Sequence, residues 1–300
     1  MTIVEVGLRD GLQNEAKTLT TSEKIELARA LLAAGVRRLE ATSFVRPEWI
    51  PQLSDAEEFV AELRADLERT GASASALCPN ERGLERALKS GIKEVAVFMS
   101  SSETHNLKNT NKSIADSLEL FAKMIPQAKQ AGLRVRGYVS TVWGCPYEGP
   151  VDPARGIAIA TSLVAMGAYQ VSLGDTIGVA TPKVVADVTR DALKALTPDQ
   201  LALHFHDTRG TAIANALAGV LAGATTLDAS IGGLGGCPYA PGASGNAATE
   251  DLAYMLEGMG ISTGLSLSKL IEAAKLAARL VDRPLSGKLL QAGLPNSFQK

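Results

Sequence analysis

The feature that most constrains this chain is an alternation. Eight short apolar segments read as strands: Ile3–Gly7, Arg38–Ser43, Ala72–Leu77, Glu94–Met99, Arg134–Ser140, Tyr169–Leu173, Leu201–His206 and Thr226–Ile231. Between them lie stretches with helical periodicity: Thr20–Gly35, Ser54–Gly71, Glu81–Gly91, Ser113–Gly132, Asp152–Gly167, Pro182–Leu196 and Gly210–Gly223. The first of these opens on the capping-box pattern Thr20-x-x-Glu23 and closes on Gly35. Strand–helix alternation implies parallel strands joined by crossover helices. Eight such units favour an α/β fold closed as a (β/α)8 TIM barrel over an open doubly wound sheet. No G-x-G-x-x-G follows the first strand and no Walker loop is present, which weakens a nucleotide-binding reading. After the eighth unit, Ser266–Leu280 reads as one more helix, and Arg283–Lys300 as a polar tail or a subunit contact. The expectation is one catalytic domain over 1–300: a barrel to about residue 262, then a helical extension from about 263 to 300.

Composition narrows the function classes. A net charge of −2 leaves no polyanion footprint, so no nucleic-acid partner is expected. No apolar run approaches the roughly 18 residues of a membrane span, and no basic, apolar leader precedes Thr2. Three cysteines, Cys78, Cys145 and Cys237, make neither a disulfide framework nor a C-x-x-C zinc spacing. The expectation is a cytoplasmic protein with no membrane partner.

In such barrels, chemistry sits at the C-terminal ends of the strands. The seventh strand ends in Leu201-Ala-Leu-His204-Phe-His206-Asp207. Residues i and i+2 share a strand face, so the two imidazoles stand side by side. Imidazole is the commonest side-chain metal ligand; a pair of core or solvated histidines is the plain alternative. Polar residues end other strands too: Arg9, Asp10 and Gln13 after the first, Glu40 and Ser43 on the second, Tyr138 on the fifth, Asp175 on the sixth. Asp10 with His204 and His206 supplies one oxygen and two nitrogens, a set that suits Mg²⁺, Mn²⁺ or Co²⁺ and admits Zn²⁺. Arg9 and Asp10 are adjacent, so both reach the site only if the strand has already ended there; a surface ion pair is the rival reading. Gly232–Asn246 carries six glycines and two prolines and can serve as a lid with glycine hinges over the rim. Cys237 lies near its middle as nucleophile, proton donor or inert thiol. Asn246 closes it as a fourth ligand or as an ordinary helix cap. Cys145 and Cys78 read as structural, and His105 as part of a polar loop after the fourth strand.

These motifs carry a resemblance. Val4–Glu15 (VEVGLRDGLQNE), Glu40–Gln52, Arg136–Gly149, Ser172–Gly178 (SLGDTIG), His204–Thr208 (HFHDT) and the loop Gly232–Asp251 together resemble the 3-hydroxy-3-methylglutaryl-CoA lyase family, from Val4 to about Gly264. The wider group includes the isopropylmalate and homocitrate synthases, which share the Arg-Asp pair and H-x-H. The resemblance implies retro-Claisen cleavage of an acyl-CoA substrate to acetyl-CoA and acetoacetate. Implied metal ligands are Asp10, His204, His206 and Asn246, with Mg²⁺ or Mn²⁺ as the expected ion. Arg9 is implied at the thioester oxygen, Cys237 in protonating the enolate and Glu40 in orienting Arg9. Gln13, Ser43, Tyr138 and Asp175 are implied around the pocket, and a homodimer as the assembly. Leu8 stands where the family usually has proline, and the His105-Asn106-Leu107 loop also departs from its pattern. These departures leave open a related 3-hydroxy-3-alkylglutaryl-CoA lyase, or a condensing acyltransferase joining acetyl-CoA to a 2-oxo acid.

Overall fold

The computed structural model describes residues 1–236 and 245–295. Eight parallel strands close into a barrel in sequence order. They are β1 (Thr2–Glu5), β2 (Arg38–Ser43), β3 (Ser73–Leu77), β4 (Glu94–Ser100), β5 (Arg134–Ser140), β6 (Gln170–Asp175), β7 (Leu201–Phe205) and β8 (Thr226–Ala229). Closure is made by β1 and β8, which pair from Thr2↔Thr226 to Glu5↔Ala229. The strands are buried on both faces, hence their near-continuous Val, Leu, Ile and Ala runs.

The outer ring contains α1 (Thr21–Ala33), α2 (Ala56–Thr70), α3 (Glu81–Ser90), α4 (Glu103–Thr110), α5 (Ile114–Gln130), α6 (Pro153–Met166), α7 (Pro182–Ala192) and α8 (Ala212–Leu221). Local chemistry sets their starts. Thr20 with Glu23, and Ser113 with Asp116, form reciprocal capping boxes. Asn80, Ser102 and Asp152 cap α3, α4 and α6 through side-chain oxygens. Each cap satisfies a backbone N–H that the first helical turn leaves unpaired.

Among the described residues, three helices follow the barrel: α9 (Thr249–Gly258), α10 (Leu267–Val281) and α11 (Lys288–Ala292). Ala273, Ala274 and Ala277 of α10 are buried, and α10 packs on α1. Asp251 accepts from Lys288 N (2.8 Å) and Leu289 N (2.7 Å), fixing the start of α11. Arg283 pairs with the buried Glu15. The stretch expected to be a polar tail or a subunit contact is thus tied to the preceding elements through Arg283, Lys288 and Leu289, and Asn296–Lys300 lie outside the described residues.

A second difference concerns His105. The segment read as a polar loop is helix α4, and His105 is 1% exposed against Tyr147. Its many Asn and Thr residues favour a loop on composition alone. The Ser102 cap and the bonds from Asn106 to Ser100 N, Ser117 Oγ and the Lys112 carbonyl show what turns His105 and Asn106 inward. Burial pushes the His105 imidazole down to about 4, so it is neutral at physiological pH.

Candidate active site and metal centre

Four segments meet at the C-terminal rim. The first is an unusual turn. Directly after β1, Gly7–Gly11 winds as a π-helical turn in which Arg9 N, Asp10 N and Gly11 N all donate to the Val6 carbonyl, at 3.2, 2.8 and 3.2 Å. Such wide turns concentrate at functional sites. This one solves the geometric problem of an adjacent Arg and Asp, because off the strand both can face the same centre. The turn lies against β8's exit: a Cβ on Gly11 would meet Ser230 Oγ at 2.7 Å and Leu234 Cβ at 2.9 Å.

The second segment is the end of β7, where the His204 and His206 ring centroids stand 5.1 Å apart. The parallel ladder of β7 ends at Phe205, and His206 instead forms an antiparallel bridge with Asn246, the third segment. Asp207 N donates to Gly245 O (2.9 Å) and Ala247 N to Phe205 O (3.0 Å), so the returning loop is stitched to the strand end. The α9 N-cap is Ala248, which removes helix capping as the role of Asn246. The Asn246 Nδ2 donates to Asp10 Oδ2 (2.8 Å) and the Leu234 carbonyl (3.0 Å). Both are acceptors, so the amide orientation is fixed and Oδ1 is the atom left over. That Oδ1 is buried and has no hydrogen-bond partner among the described residues, an expensive state unless a ligand answers it.

The fourth segment is β2. Glu40, fully buried, accepts from Arg9 Nε at 2.7 Å. Arg9 Nη1 donates to Asp10 Oδ1 (2.8 Å) and, at 3.4 Å, to Gln13 Oε1. The Tyr138 ring lies under the guanidinium at 5.9 Å. Arg9 is therefore held from three sides before any ligand arrives.

Electrostatics separates these groups. Burial works against ionised Asp10, but Arg9 and the two imidazoles overcome it and hold the carboxyl well below the usual range. Burial raises Glu40, with Arg9 opposing. Burial, then the neighbouring His204, pushes His206 down to about 4, so the ring is uncharged at neutral pH and offers one nitrogen lone pair. Burial acts on His204 too, but Asp228 and Asp10 overcome it and raise its pKa.

Can one cation be held here? Two ligand atoms on opposite sides of an ion with bonds near 2.1 Å stand about 4.2 Å apart. One ligand atom each from Asp10, His204 and His206 lies within 4.8 Å of the others. His206 Nε2 is 3.9 Å from Asp10 Oδ2. A carboxylate, two imidazoles and an unsatisfied amide oxygen form a donor set that fits a divalent cation.

Two other residues expected around the pocket have backbone partners. Ser43 Oγ donates to the Leu77 carbonyl (3.3 Å). Asp175 accepts from Val179 N (3.0 Å) and Ala180 N (2.9 Å), organising the turn into α7. Cys78 is buried, and burial pushes its thiol up. Cys145 is buried as well, its Sγ accepting from Ser102 Oγ (2.9 Å) and two backbone amides. Cys237 lies outside the described residues.

Sequence reasoning passes over a buried network under His204. Arg136 Nη2 bonds Asp228 Oδ1 (2.7 Å), Arg136 Nη1 bonds Tyr138 Oη (2.6 Å), and Ser172 Oγ bonds Asp228 Oδ2 (2.7 Å). The available signal is a charged residue within each of two strands, Arg136 in β5 and Asp228 in β8.

Fold and rim together define a class: a TIM-barrel enzyme with a candidate divalent-metal centre at the C-terminal strand ends. More narrowly, the chain belongs to the HMGL-like family, whose model matches residues 1–277. It is 50% identical over 291 residues to a hydroxymethylglutaryl-CoA lyase of Bacillus subtilis, covering 97% of this chain and 96% of the relative. The human mitochondrial hydroxymethylglutaryl-CoA lyase is 46% identical over 290 residues, covering 97% and 88%. Among solved structures, the B. subtilis HMG-CoA lyase superposes with a TM-score of 0.93 at 49% identity, over 97% and 96% of the two chains. An HMG-CoA lyase from A. baumannii, in complex with coenzyme A and 3-methylmalate, gives 0.91 at 37% identity over 99% and 96%.

Proposed function

We propose that this chain is a divalent-metal-dependent carbon–carbon lyase that cleaves 3-hydroxy-3-methylglutaryl-CoA to acetyl-CoA and acetoacetate. The observation that carries the reading is the meeting of Asp10, His204, His206 and Asn246 at one rim, in a chain half identical to a hydroxymethylglutaryl-CoA lyase. The A. baumannii relative, with coenzyme A and a hydroxy-dicarboxylate bound together, supports the substrate class.

Asp10, His204 and His206, with Asn246 Oδ1, would hold the cation. Mg²⁺ or Mn²⁺ suits a set containing two oxygen donors and two imidazoles; Co²⁺ and Zn²⁺ are the alternatives. A bound cation supplies Lewis acidity toward a substrate hydroxyl and a neighbouring oxygen. In the reaction, the bond between the carbinol carbon and the thioester α-carbon breaks. The hydroxyl gives its proton to a base of the site and becomes the ketone of acetoacetate; the electron pair leaves as the enolate of acetyl-CoA, which takes up one proton, so that none is gained or lost overall. Arg9 is fixed by Glu40 and Asp10, and its charge suits the thioester oxygen on which the negative charge grows. Gln13 and Tyr138 flank that guanidinium. Ser43 ties the end of β2 to the end of β3, and Asp175 organises the turn into α7. Protonation of the enolate is assigned to Cys237 on the resemblance. A homodimer in a reducing, cytoplasmic compartment belongs to the same proposal, and light scattering tests the assembly.

The activity test uses chelator-treated protein and 3-hydroxy-3-methylglutaryl-CoA. Acetyl-CoA should appear only when Mg²⁺ or Mn²⁺ is restored, and Asp10→Asn should remain silent. Full turnover without metal would overturn the reading. So would silence toward this ester combined with release of free CoA from acetyl-CoA and a 2-oxo acid.

A further inference from the structure

Asp228 occupies the middle of β8 and is the register partner of His204 on β7. It is 2% exposed, and its side chain is fully enclosed. Three other strands serve this one carboxylate. From β5, Arg136 Nη2 donates to Oδ1 at 2.7 Å; from β6, Ser172 Oγ donates to Oδ2 at 2.7 Å. From β7, His204 Nδ1 stands 3.5 Å from the same Oδ2 and has no other hydrogen-bond partner among the described residues. Arg136 is itself fully buried and bonded to Gln170 and Tyr138, so the carboxylate is held in place from below.

An imidazole that gives one nitrogen to a cation must carry its proton on the other. An acceptor for that proton fixes the ring and its tautomer. We propose that Asp228 is a positioning residue for the metal centre: it accepts from His204 Nδ1–H, sets the tautomer and leaves Nε2 for the cation. The inference rests on the metal reading above. The two imidazoles then differ in how they are held. His206 is placed by its backbone bridge to Asn246, and its Nδ1 is buried with no hydrogen-bond partner among the described residues. His204 is placed through its side chain. Ser172 and Arg136 act one step back, by fixing the carboxylate.

The test is Mn²⁺ binding, followed by loss of the free-ion electron paramagnetic signal. Asp228→Asn should weaken Mn²⁺ by roughly tenfold to a hundredfold. It also leaves Arg136 without its charge partner, so a lower thermal midpoint is expected whatever the role, and the affinity of the folded fraction is what counts. Ser172→Ala keeps the Arg136–Asp228 pair and removes one tether of Oδ2; a several-fold weakening is expected there. This variant decides the matter if Asp228→Asn does not fold. A second readout is ¹⁵N-histidine spectroscopy of metal-free protein at alkaline pH, where the chain's three histidines give few signals. His204 should be the Nδ1–H tautomer in the wild type and lose that preference in Asp228→Asn. If wild type binds Mn²⁺ while the variants that fold bind it equally well, the proposal is overturned; an Nε2–H tautomer at His204 overturns it too. If wild type binds no Mn²⁺, the metal reading itself fails.

Discussion

The two ends of the barrel are both polar and buried, yet they are built to opposite rules. At the strand starts, Arg38 and Tyr169 gather on Glu94: Tyr169 Oη donates to Glu94 Oε1 at 2.5 Å and itself accepts from Arg38. Arg134 covers the Tyr169 ring at 4.0 Å. Gln170 completes the layer by accepting from Arg38 Nη1 and Arg136 Nε and donating to Thr226 Oγ1 and the Asp199 carbonyl. Glu94 Oε2 makes no hydrogen bond, but it faces Arg134 Nη1 at 3.7 Å. At the strand ends, Glu40 Oε1, His206 Nδ1 and Asn246 Oδ1 are buried with no hydrogen-bond partner among the described residues, and His204 Nδ1 has only the long approach to Asp228. One end closes its polar groups on each other. The other keeps donors and acceptors in reserve, which is what a site awaiting a ligand requires.

The sharpest way to break this contrast is to exchange the consequences of mutation. Asp10→Asn at the open end should lower kcat on the order of 10³-fold or more, since a metal ion supplies several kcal/mol of transition-state stabilisation at about 1.4 kcal/mol per decade. Its unfolding free energy should move by no more than about 1 kcal/mol, because Arg9 keeps Glu40. Steady-state kinetics beside chemical denaturation checks both. Glu94→Ala at the closed end should do the reverse. It should cost about 2–3 kcal/mol of stability by stripping Tyr169 and Arg38 of a buried partner, with kcat of the folded enzyme within about twofold. A large loss of kcat there would erase the distinction.

The pH dependence of stability sharpens it further. Glu5 and Glu250 lie under the rim, where burial raises them to about 7 and about 8. Below pH 4.5 both are protonated folded or unfolded, and their favourable neutral state in the fold is fully present. Between about 4.5 and 8 the unfolded chain releases protons the folded chain keeps. Stability should therefore fall as pH rises through this window, by up to about 1.4 kcal/mol per unit for each proton. Glu250→Gln keeps the acceptor for Gly232 N and should flatten the slope; an unchanged slope would show that Glu250 does not hold its proton. The smallest expected effect lies away from both ends. Thr20→Ala removes the α1 capping box and should cost about 1 kcal/mol by thermal melting, with activity intact.

The closed barrel is legible in the sequence because parallel strands buried on both faces announce themselves as apolar runs between amphipathic stretches; β2 and β5 keep their expected bounds. Strand ends are less so. Reading β1 to Gly7 misses that the Val6 carbonyl already belongs to the π-turn, since hydrogen bonding rather than hydropathy ends that strand. His204, His206 and Asp10 can be grouped because strand ends share a rim. Asn246 cannot be separated from a helix cap by spacing, and only its bridge to His206 and the cap at Ala248 distinguish the two. Asp228 shows in the sequence as a charge within a strand, but its role does not, for another reason. Its partners come from β5, β6 and β7, and no local pattern encodes a contact spread across four strands.

The turn around Val6 has a consequence for anyone rebuilding this site. Three successive amides share one carbonyl, so the stretch from Gly7 to Gly11 has no slack. Inserting or deleting a single residue would rotate the guanidinium and the carboxylate out of their places together, leaving Glu40 facing nothing. A transplant into another barrel therefore has to move Val6 through Gly11 as one cassette, with the Glu40 position on the adjoining strand carried along.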